Sequence, residues 1–151
     1  MNIFPFRNFS VMVDYAHNTD GFRMLKKFMD QTAATVKVGI ITSPGDRRDQ
    51  DIRMAGAISA EIFDEIIIRH DDDLRGRSRE NITELLQEGI RSVDKFTPVK
   101  IISDEIEAIK YVMDMAVPGS FIVLCSEKVH HTIDFLSGVK EFERSFQLSI
   151  R

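Results

Sequence analysis

The sequence alternates five times between a short apolar run and a segment with helical spacing. The apolar runs begin near Phe9 and at Val36, Ile66, Val99 and Phe121. After each run, apolar residues recur with the period of an amphipathic helix. This order predicts an α/β fold with three αβα layers, in which a Rossmann-like, mostly parallel sheet of five or six strands has helices on both faces.

Polar residues in front of the helical segments predict where the helices begin. Asn18 or Thr19 is placed to cap the first helix, Ser78 is placed to cap the third, and Ser126 opens the last. The third helix is indicated by the helical spacing of Ile82, Leu85, Leu86, Ile90 and Val93.

The length and composition fit one globular domain. The chain has 151 residues, of which 43% are hydrophobic and 29% are charged, and this is enough to bury a core. The net charge of −4, with acids and bases mixed along the chain, argues against nucleic acid or a membrane surface as a partner. The single cysteine, Cys125, cannot form an internal disulfide, so we expect a cytoplasmic location.

Polar residues follow each of the first three predicted strands. These segments are the first loop (residues 14–18, DYAHN), the second loop (residues 43–49, SPGDRRD) and the third loop (residues 69–77, RHDDDLRGR). The carboxyl ends of parallel strands lie at one edge of a sheet, and ligands bind beyond that edge. We therefore expect the three loops to lie close together.

The first loop connects a strand to a helix, and the N–H groups of a helix N-terminus bind phosphate well. In that setting Asp14 could accept from ribose hydroxyls, and His17 could donate to a phosphate or pack on a nucleotide. Alternatively, Asp14 and Asn18 are ordinary turn and cap residues and His17 is solvated. The spacing alone favours this alternative.

The second loop places Arg47 and Arg48 where the second helix begins. Arginine binds phosphate with two parallel hydrogen bonds, so a phosphate site is one interpretation. The other interpretation is a solvated loop in which the arginines pair with neighbouring acids. The spacing does not separate the two.

The third loop carries Asp71, Asp72 and Asp73 between arginines. Such a cluster could bind Mg²⁺ or a ligand that bears both charges. A charge run in a loop is, however, usually only solvated. His130 and His131, further along the chain, are adjacent on a predicted helix and point in different directions, so we predict no metal site.

The sequence has no G-x-x-x-x-G-K-[ST] phosphate-binding loop and no G-x-G-x-x-G motif. A chain of this kind would not hold a nucleoside triphosphate alone. Cys125, at the end of a buried strand, is interpreted as a packing residue.

The three loops together resemble the C-terminal domain of the Mur ligases. The likeness rests on DYAHN, SPGDRRDQDIR and IIIRHDDDLRGR, each at the end of its strand, and it is greatest to the ligase half of the cyanophycin synthetases. It is strong over residues 9–21 and 43–77 and weak after Thr97, and residues 2–4 look like the entry to that domain. We therefore expect residues 1–151 to form a single Mur-ligase C-terminal-type domain.

The resemblance implies a part in ATP-dependent amide formation. Mur ligases use ATP to activate a carboxylate as an acyl phosphate, which an amine then attacks. ATP and Mg²⁺ would be held mainly by a central domain that carries the phosphate-binding loop, joined in cis or in trans. By resemblance, Asp14 would contact the ribose, His17 and Asn18 would line the nucleotide side of the cleft, and Arg47 would reach ribose or phosphate. The domain is not expected to be active in isolation.

The third loop matches the region that selects the incoming amino acid in the family. The peptidoglycan ligases carry Asn-Pro-Arg there, and this chain does not. Cyanophycin synthetases add arginine to an aspartate side chain. We therefore predict that Asp71, Asp72 and Asp73 pair with the guanidinium of an arginine substrate and that Arg75 binds its carboxylate.

Two other classes of function remain alternatives at this point. The positions of Asp14, Asp71, Ser103 and Lys128 parallel those of a phosphoacceptor receiver domain, although Asp14 has no acidic neighbour. The chain could also be a non-catalytic nucleotide-binding or assembly module. The sequence leaves open whether the domain forms a homo-oligomer.

Overall fold

The structure is a computed structural model that describes the backbone of residues 1–149 and the side chains of residues 1–147. The strands in this part of the chain are β1 (Asn2–Pro5), β2 (Phe9–Asp14), β3 (Lys37–Ile41), β4 (Glu65–Ile68), β5 (Val99–Ile101) and β6 (Ser120–Cys125). The helices are α1 (Thr19–Asp30), α2 (Asp49–Ile62), α3 (Arg79–Val93), α4 (Glu105–Met115) and α5 (Val129–Ser149).

All the strands belong to one sheet with the order β1-β2-β6-β3-β4-β5. The five strands from β2 to β6 are all parallel to their neighbours among them, so the predicted Rossmann-like, mostly parallel sheet is confirmed. β1 is antiparallel and places Ile3 opposite Met12. Residues 2–4, which the sequence placed ahead of the first strand, are therefore an edge strand of the sheet itself.

The strand order separates this fold from that of the receiver domains. Counted along the chain, the five parallel strands stand in the order 1-5-2-3-4 across the sheet. Receiver domains have the order 2-1-3-4-5. The last parallel strand, β6, is inserted between β2 and β3 here, so the receiver-domain alternative does not fit.

Helices cover both faces of the sheet because its central strands are apolar on both sides. In β2, Met12 packs beneath α1, α2 and α3, whereas Val11 and Val13 pack against α4 and α5. All three of these side chains are at most 1% exposed. Burying one such side chain contributes roughly 1.5–3 kcal/mol, so a charged residue at position 12 would break this packing.

Most of the predicted helix starts are correct. Asn18 caps α1 by accepting from the Gly21 N–H at 2.8 Å, and Ser78 caps α3 by accepting from the Asn81 N–H at 3.1 Å. These side chains satisfy N–H groups that have no partner inside the helix.

One predicted helix start is wrong. The last helix begins at Val129 rather than Ser126, because Ser126 accepts the Lys128 N–H at 3.1 Å and forms a turn before the helix. Val93 is the final residue of α3 and is 44% exposed there. Within residues 1–149, no helix combines the length and the apolarity needed to cross a bilayer.

Candidate functional site

The topology opens a crevice at the carboxyl edge of the sheet, around the end of β6. β2 and β3 lead into α1 and α2 on one face, whereas β6 lies between them and leads into α5 on the other face. Neighbouring loops that leave a sheet in opposite directions create the crevice in which α/β proteins bind ligands. The last loop (residues 126–128) leaves β6 at this crevice, close to the first three loops.

Three of the four residues predicted to contact nucleotide line one cavity at this edge. His17, Asn18 and Arg47 surround a volume of about 210 Å³ between the N-terminal ends of α1 and α2. Its other lining residues are Thr19, Asp20, Ser43, Asp51 and Ala55. Complete small-molecule sites usually enclose about 300–1,000 Å³. The cavity therefore has room for one part of a nucleotide, such as a phosphate, and not for all of it.

Arg47, which lines this cavity, carries a buried hydrogen-bond donor. Its Nε is buried and has no hydrogen-bond partner among the residues that the structure describes. A buried donor without a partner costs about 1–3 kcal/mol. The two helix N-termini beside it favour anions. Asp20 and Asp51, which line the same cavity, reduce that positive potential.

His17 is held by its own loop. Its Nδ1 donates to the Tyr15 carbonyl oxygen at 2.8 Å, and its ring lies 4.6 Å from the Tyr15 ring, centroid to centroid. Since Nδ1 carries the proton in this hydrogen bond, the neutral ring presents Nε2 as an acceptor. A protonated ring would instead donate from Nε2, which is what a phosphate requires.

Asp14 does not line this cavity. It ends β2 opposite Cys125, and its Oδ1 accepts from the Ala16 N–H at 2.8 Å. This is the turn role that the sequence offered as an alternative, and it uses one of the two carboxylate oxygens. The side-chain oxygen of Asn18 likewise accepts the hydrogen bond that caps α1.

The third loop is anchored by an arginine that the sequence did not single out. Arg69 is 3% exposed and donates to the Cys125 carbonyl oxygen from Nε at 3.2 Å and from Nη2 at 3.0 Å. Its Nη1 donates to Asp71 at 2.9 Å, and its Nε lies 3.3 Å from a Glu105 oxygen. Asp71 is therefore paired inside the chain. Glu105 also accepts from the hydroxyls of Ser126 and Thr132, which ties α4 to the start of α5.

The other two acids of the third loop also have partners in this structure. Asp72 forms an ion pair with Lys128 of the last loop, and this hydrogen bond lowers the pKa of Asp72 and raises the pKa of Lys128. Both side chains are mostly exposed, so solvent screens the pair. Asp73 accepts from the Arg75 N–H at 2.9 Å and so stabilises a turn in which Arg75 has a left-handed φ of 50°.

Arg75 joins three loops. Its Nη1 donates to Asp46 of the second loop at 3.0 and 3.1 Å, and its Nη2 donates to Glu127 of the last loop at 3.2 and 3.4 Å. The hydrogen bond with Asp46, followed by the charge of Glu127, raises the pKa of Arg75. The side chain predicted to bind the carboxylate of an amino acid is thus held by two carboxylates of the chain.

The side chain of Arg77 binds backbone carbonyl oxygens of the second loop. Its Nε donates to the Gly45 carbonyl oxygen at 2.9 Å and its Nη2 donates to the Arg47 carbonyl oxygen at 2.9 Å. Its Nη1 donates to Asp49 and to Asn81, each at 2.7 Å. In the sequence, Arg77 was one of several arginines in a charge run, and no local signal distinguished it.

A second cavity lies beside the last loop. It has a volume of about 530 Å³ and is lined by Tyr15 and residues 127–131. Tyr15 belongs to the first loop, whereas the sequence interpretation gave residues 127–131 no place in the ligase site because its motifs end before this segment. Among the described residues, no group of three or more His, Cys, Asp or Glu side chains is arranged to hold a metal ion.

Cys125 is enclosed at the centre of the crevice floor. Its side chain is fully buried, and this burial raises the pKa of its thiol to about 12. A thiol in this state is not a nucleophile at neutral pH. The interpretation of Cys125 as a packing residue is confirmed.

The sequence was compared with those of known proteins. A family profile described as "Mur ligase, glutamate ligase domain" matches residues 1–127. Cyanophycin synthetase from Nostoc sp. is 38% identical over 136 residues, which cover 90% of this chain and 15% of that protein. The chain therefore spans less than a fifth of the length of this relative.

Solved structures share the fold. A UDP-N-acetylmuramoyl-L-alanyl-D-glutamate–2,6-diaminopimelate ligase superposes with a TM-score of 0.72 at 22% identity, covering 83% of this chain and 25% of that one. Escherichia coli FolC in complex with ADP superposes with a TM-score of 0.67 at 18% identity, covering 87% and 30% of the two chains. At these identities the likeness shows a common fold.

Proposed function

The chain belongs to the Mur ligase family as a glutamate ligase domain, and from this premise we propose that it serves as the C-terminal domain of an ATP-dependent amide ligase. In the proposed reaction, ATP phosphorylates a carboxylate, and the amine of an amino acid displaces the phosphate to form an amide. The domain contributes contacts to the nucleotide and to the amino acid. It needs a central domain with a phosphate-binding loop, in cis or in trans, and is inactive without it.

The observation that carries this proposal is the cavity at the ends of α1 and α2. It is lined by His17, Asn18 and Arg47, and the buried Nε of Arg47 has no hydrogen-bond partner among the described residues. An arginine donor without a partner, close to helix N-termini, suits a phosphate or ribose oxygen. The volume of about 210 Å³ suits a domain that supplies one wall of a nucleotide site. Asp14, in the same loop as His17 and Asn18, has a second carboxylate oxygen without a hydrogen-bond partner among the described residues, and this oxygen would bind the ribose.

We assign Mg²⁺ to the central domain. The residues that the structure describes contain no cluster suited to a metal ion. Domain closure would then bring Arg47 against a nucleotide whose metal is already in place, and it would exclude water from the acyl phosphate. The reduced, buried Cys125 accords with the cytoplasmic location proposed for such a ligase.

We further propose that the third loop binds the amino-acid substrate and that this substrate is arginine. Asp72 is the best placed of the three acids, because 83% of its side chain is exposed and its present partner, Lys128, is itself 64% exposed. An arginine guanidinium would replace the Lys128 ammonium there and gain planar, two-point pairing. Asp71 and Asp73 would stabilise the conformation of this loop through their contacts with Arg69 and Arg75. Arg75 would turn toward the substrate carboxylate on leaving Asp46.

The nucleotide part is tested by titrating the isolated chain with ADP and following backbone amide shifts by NMR. We expect saturable shifts at His17, Asn18 and Arg47, and a loss of affinity of about tenfold in Arg47→Ala. Arg91→Ala, which removes an exposed arginine near the far end of α3, is the matched control. Equal affinity in both variants would contradict the proposed role of Arg47.

The amino-acid part is tested with the chain joined to its central domain. Arginine binding should weaken in Asp72→Asn and survive in Asp94→Asn, whose carboxylate lies beyond the far end of α3. Unchanged binding in alanine variants of Asp71, Asp72 and Asp73 would contradict arginine recognition by this loop. Nucleotide binding without any amide formation in the joined protein would favour a non-catalytic nucleotide-binding module.

A further inference from the structure

We propose that Arg77 is a positioning residue that fixes the backbone of Arg47 and so directs the Arg47 guanidinium into the nucleotide cavity. This inference rests on the proposed function for its ligand. It adds a residue to the site, and it assigns the contact between the second and third loops the role of orienting Arg47. It also connects the loop proposed to bind the amino acid with the loop proposed to bind the nucleotide.

The geometry of the Arg77 side chain supports this role. It donates to the carbonyl oxygens of Gly45 and Arg47 in the second loop, both at 2.9 Å. Its Nη1 reaches Asp49, the first residue of α2, at 2.7 Å. These contacts hold the loop before, at and after Arg47. A rigid guanidinium fork can span such a set of acceptors, whereas the single ammonium of a lysine cannot.

Burial strengthens these hydrogen bonds. The Arg77 side chain is 22% exposed, so solvent competes only in part for its donors. The two loops also pack directly, since a Cβ added at Gly45 would overlap the Leu74 carbonyl oxygen. The backbone at positions 45–47 therefore has little room to move while Arg77 is present. Arg77 does not line the cavity, so it acts on a ligand only through Arg47.

The arrangement makes a specific prediction about coupling. If Arg77 acts through Arg47, Arg77→Ala should weaken ADP binding by about tenfold, the same loss as in Arg47→Ala. The double variant should then lose about tenfold and not a hundredfold, because the two residues serve one contact. Arg77→Lys should bind ADP as weakly as Arg77→Ala, since it keeps the charge and loses the fork.

We would measure this double-mutant cycle on the full chain by NMR titration with ADP, with Arg91→Ala as the charge-matched control. Without ligand, the ¹⁵N relaxation of the amides at positions 45–48 should report a loop that is ordered in the wild type and in Arg91→Ala and mobile in Arg77→Ala. A stability effect alone would lower the melting temperature and leave the affinity for ADP unchanged at a temperature well below it.

The outcomes separate this inference from the proposed function. Absence of ADP binding by the wild-type chain would overturn the nucleotide site and with it the role of both arginines. ADP binding that is unaffected by Arg77→Ala would overturn the inference alone. So would losses that add up in the double variant, or a loop that stays ordered without Arg77.

Discussion

Replacing Arg69 with methionine should destabilise the domain more than any other single change at the carboxyl edge. Its guanidinium is 3% exposed and holds the Cys125 carbonyl oxygen, Asp71 and Glu105 together. Methionine fills much of the same volume, so the loss would come from polar groups and not from a cavity. The carboxylates left behind are only 16% and 14% exposed.

The magnitude follows from that burial. Removing one partner of a buried ion pair costs about 3–5 kcal/mol, because the remaining charge stays buried without compensation. For a domain of this size, each kcal/mol lowers the melting temperature by about 2–4 °C. We therefore expect Arg69→Met to melt about 6–20 °C below the wild type. The hydroxyls of Ser126 and Thr132, which still bind Glu105, favour the lower part of that range.

Urea denaturation followed by circular dichroism would measure this loss, and a triple variant would test its cause. Adding Asp71→Asn and Glu105→Gln to Arg69→Met removes the two orphaned charges. Part of the lost stability should therefore return. A loss below about 1 kcal/mol in the single variant would refute the argument, since that is the range of exposed ion pairs. A triple variant less stable than Arg69→Met would refute it as well.

Three smaller perturbations test other parts of the structure. Burial lowers the pKa of His70. The domain should therefore lose stability as the pH falls below the unfolded-state pKa of about 6.5, because the unfolded chain then binds a proton more readily than the folded one. In urea titrations, the free energy of unfolding of His70→Gln should fall less than that of the wild type between about pH 6.5 and 5. Gly45→Ala should lower the melting temperature and weaken ADP binding, because the new methyl would overlap the Leu74 carbonyl oxygen and displace the second loop. Asn18→Ala should cost about 1 kcal/mol in urea denaturation through loss of the α1 cap, whereas Asn18→Asp should not.

The sequence predicts what depends on neighbours along the chain. The apolar runs become strands, and Asn18 and Ser78 cap the helices they precede, because strand burial and capping are local properties. The position of β6 between β2 and β3 was not predicted, since no local pattern encodes which strands become neighbours. Only that order creates the crevice at the candidate site.

The ion pairs of the loops show a second limit. Lys128 pairs with Asp72 across 56 positions, and Arg75 reaches Asp46 across 29. In a run such as RHDDDLRGR, each charge has several chemically equivalent partners, and only the folded loops decide among them. The strand ends predicted that His17, Asn18 and Arg47 lie at one edge of the sheet, whereas their nucleotide-binding roles were predicted only from the resemblance to the Mur ligases.

The insertion of β6 also governs how the chain must assemble. β6 pairs with β2 on one side and with β3 on the other, and its residues lie more than a hundred positions after those of β2. A ribosome-bound chain that stops short of Ser120 would present both β2 and β3 as open strand edges, which invite pairing with other chains. Closure of these long loops is slow, so the sheet becomes continuous only in a late step of folding. Nascent fragments that end in α4 should therefore depend on chaperones, whereas fragments that extend through α5, which covers Val11 and Val13, should not.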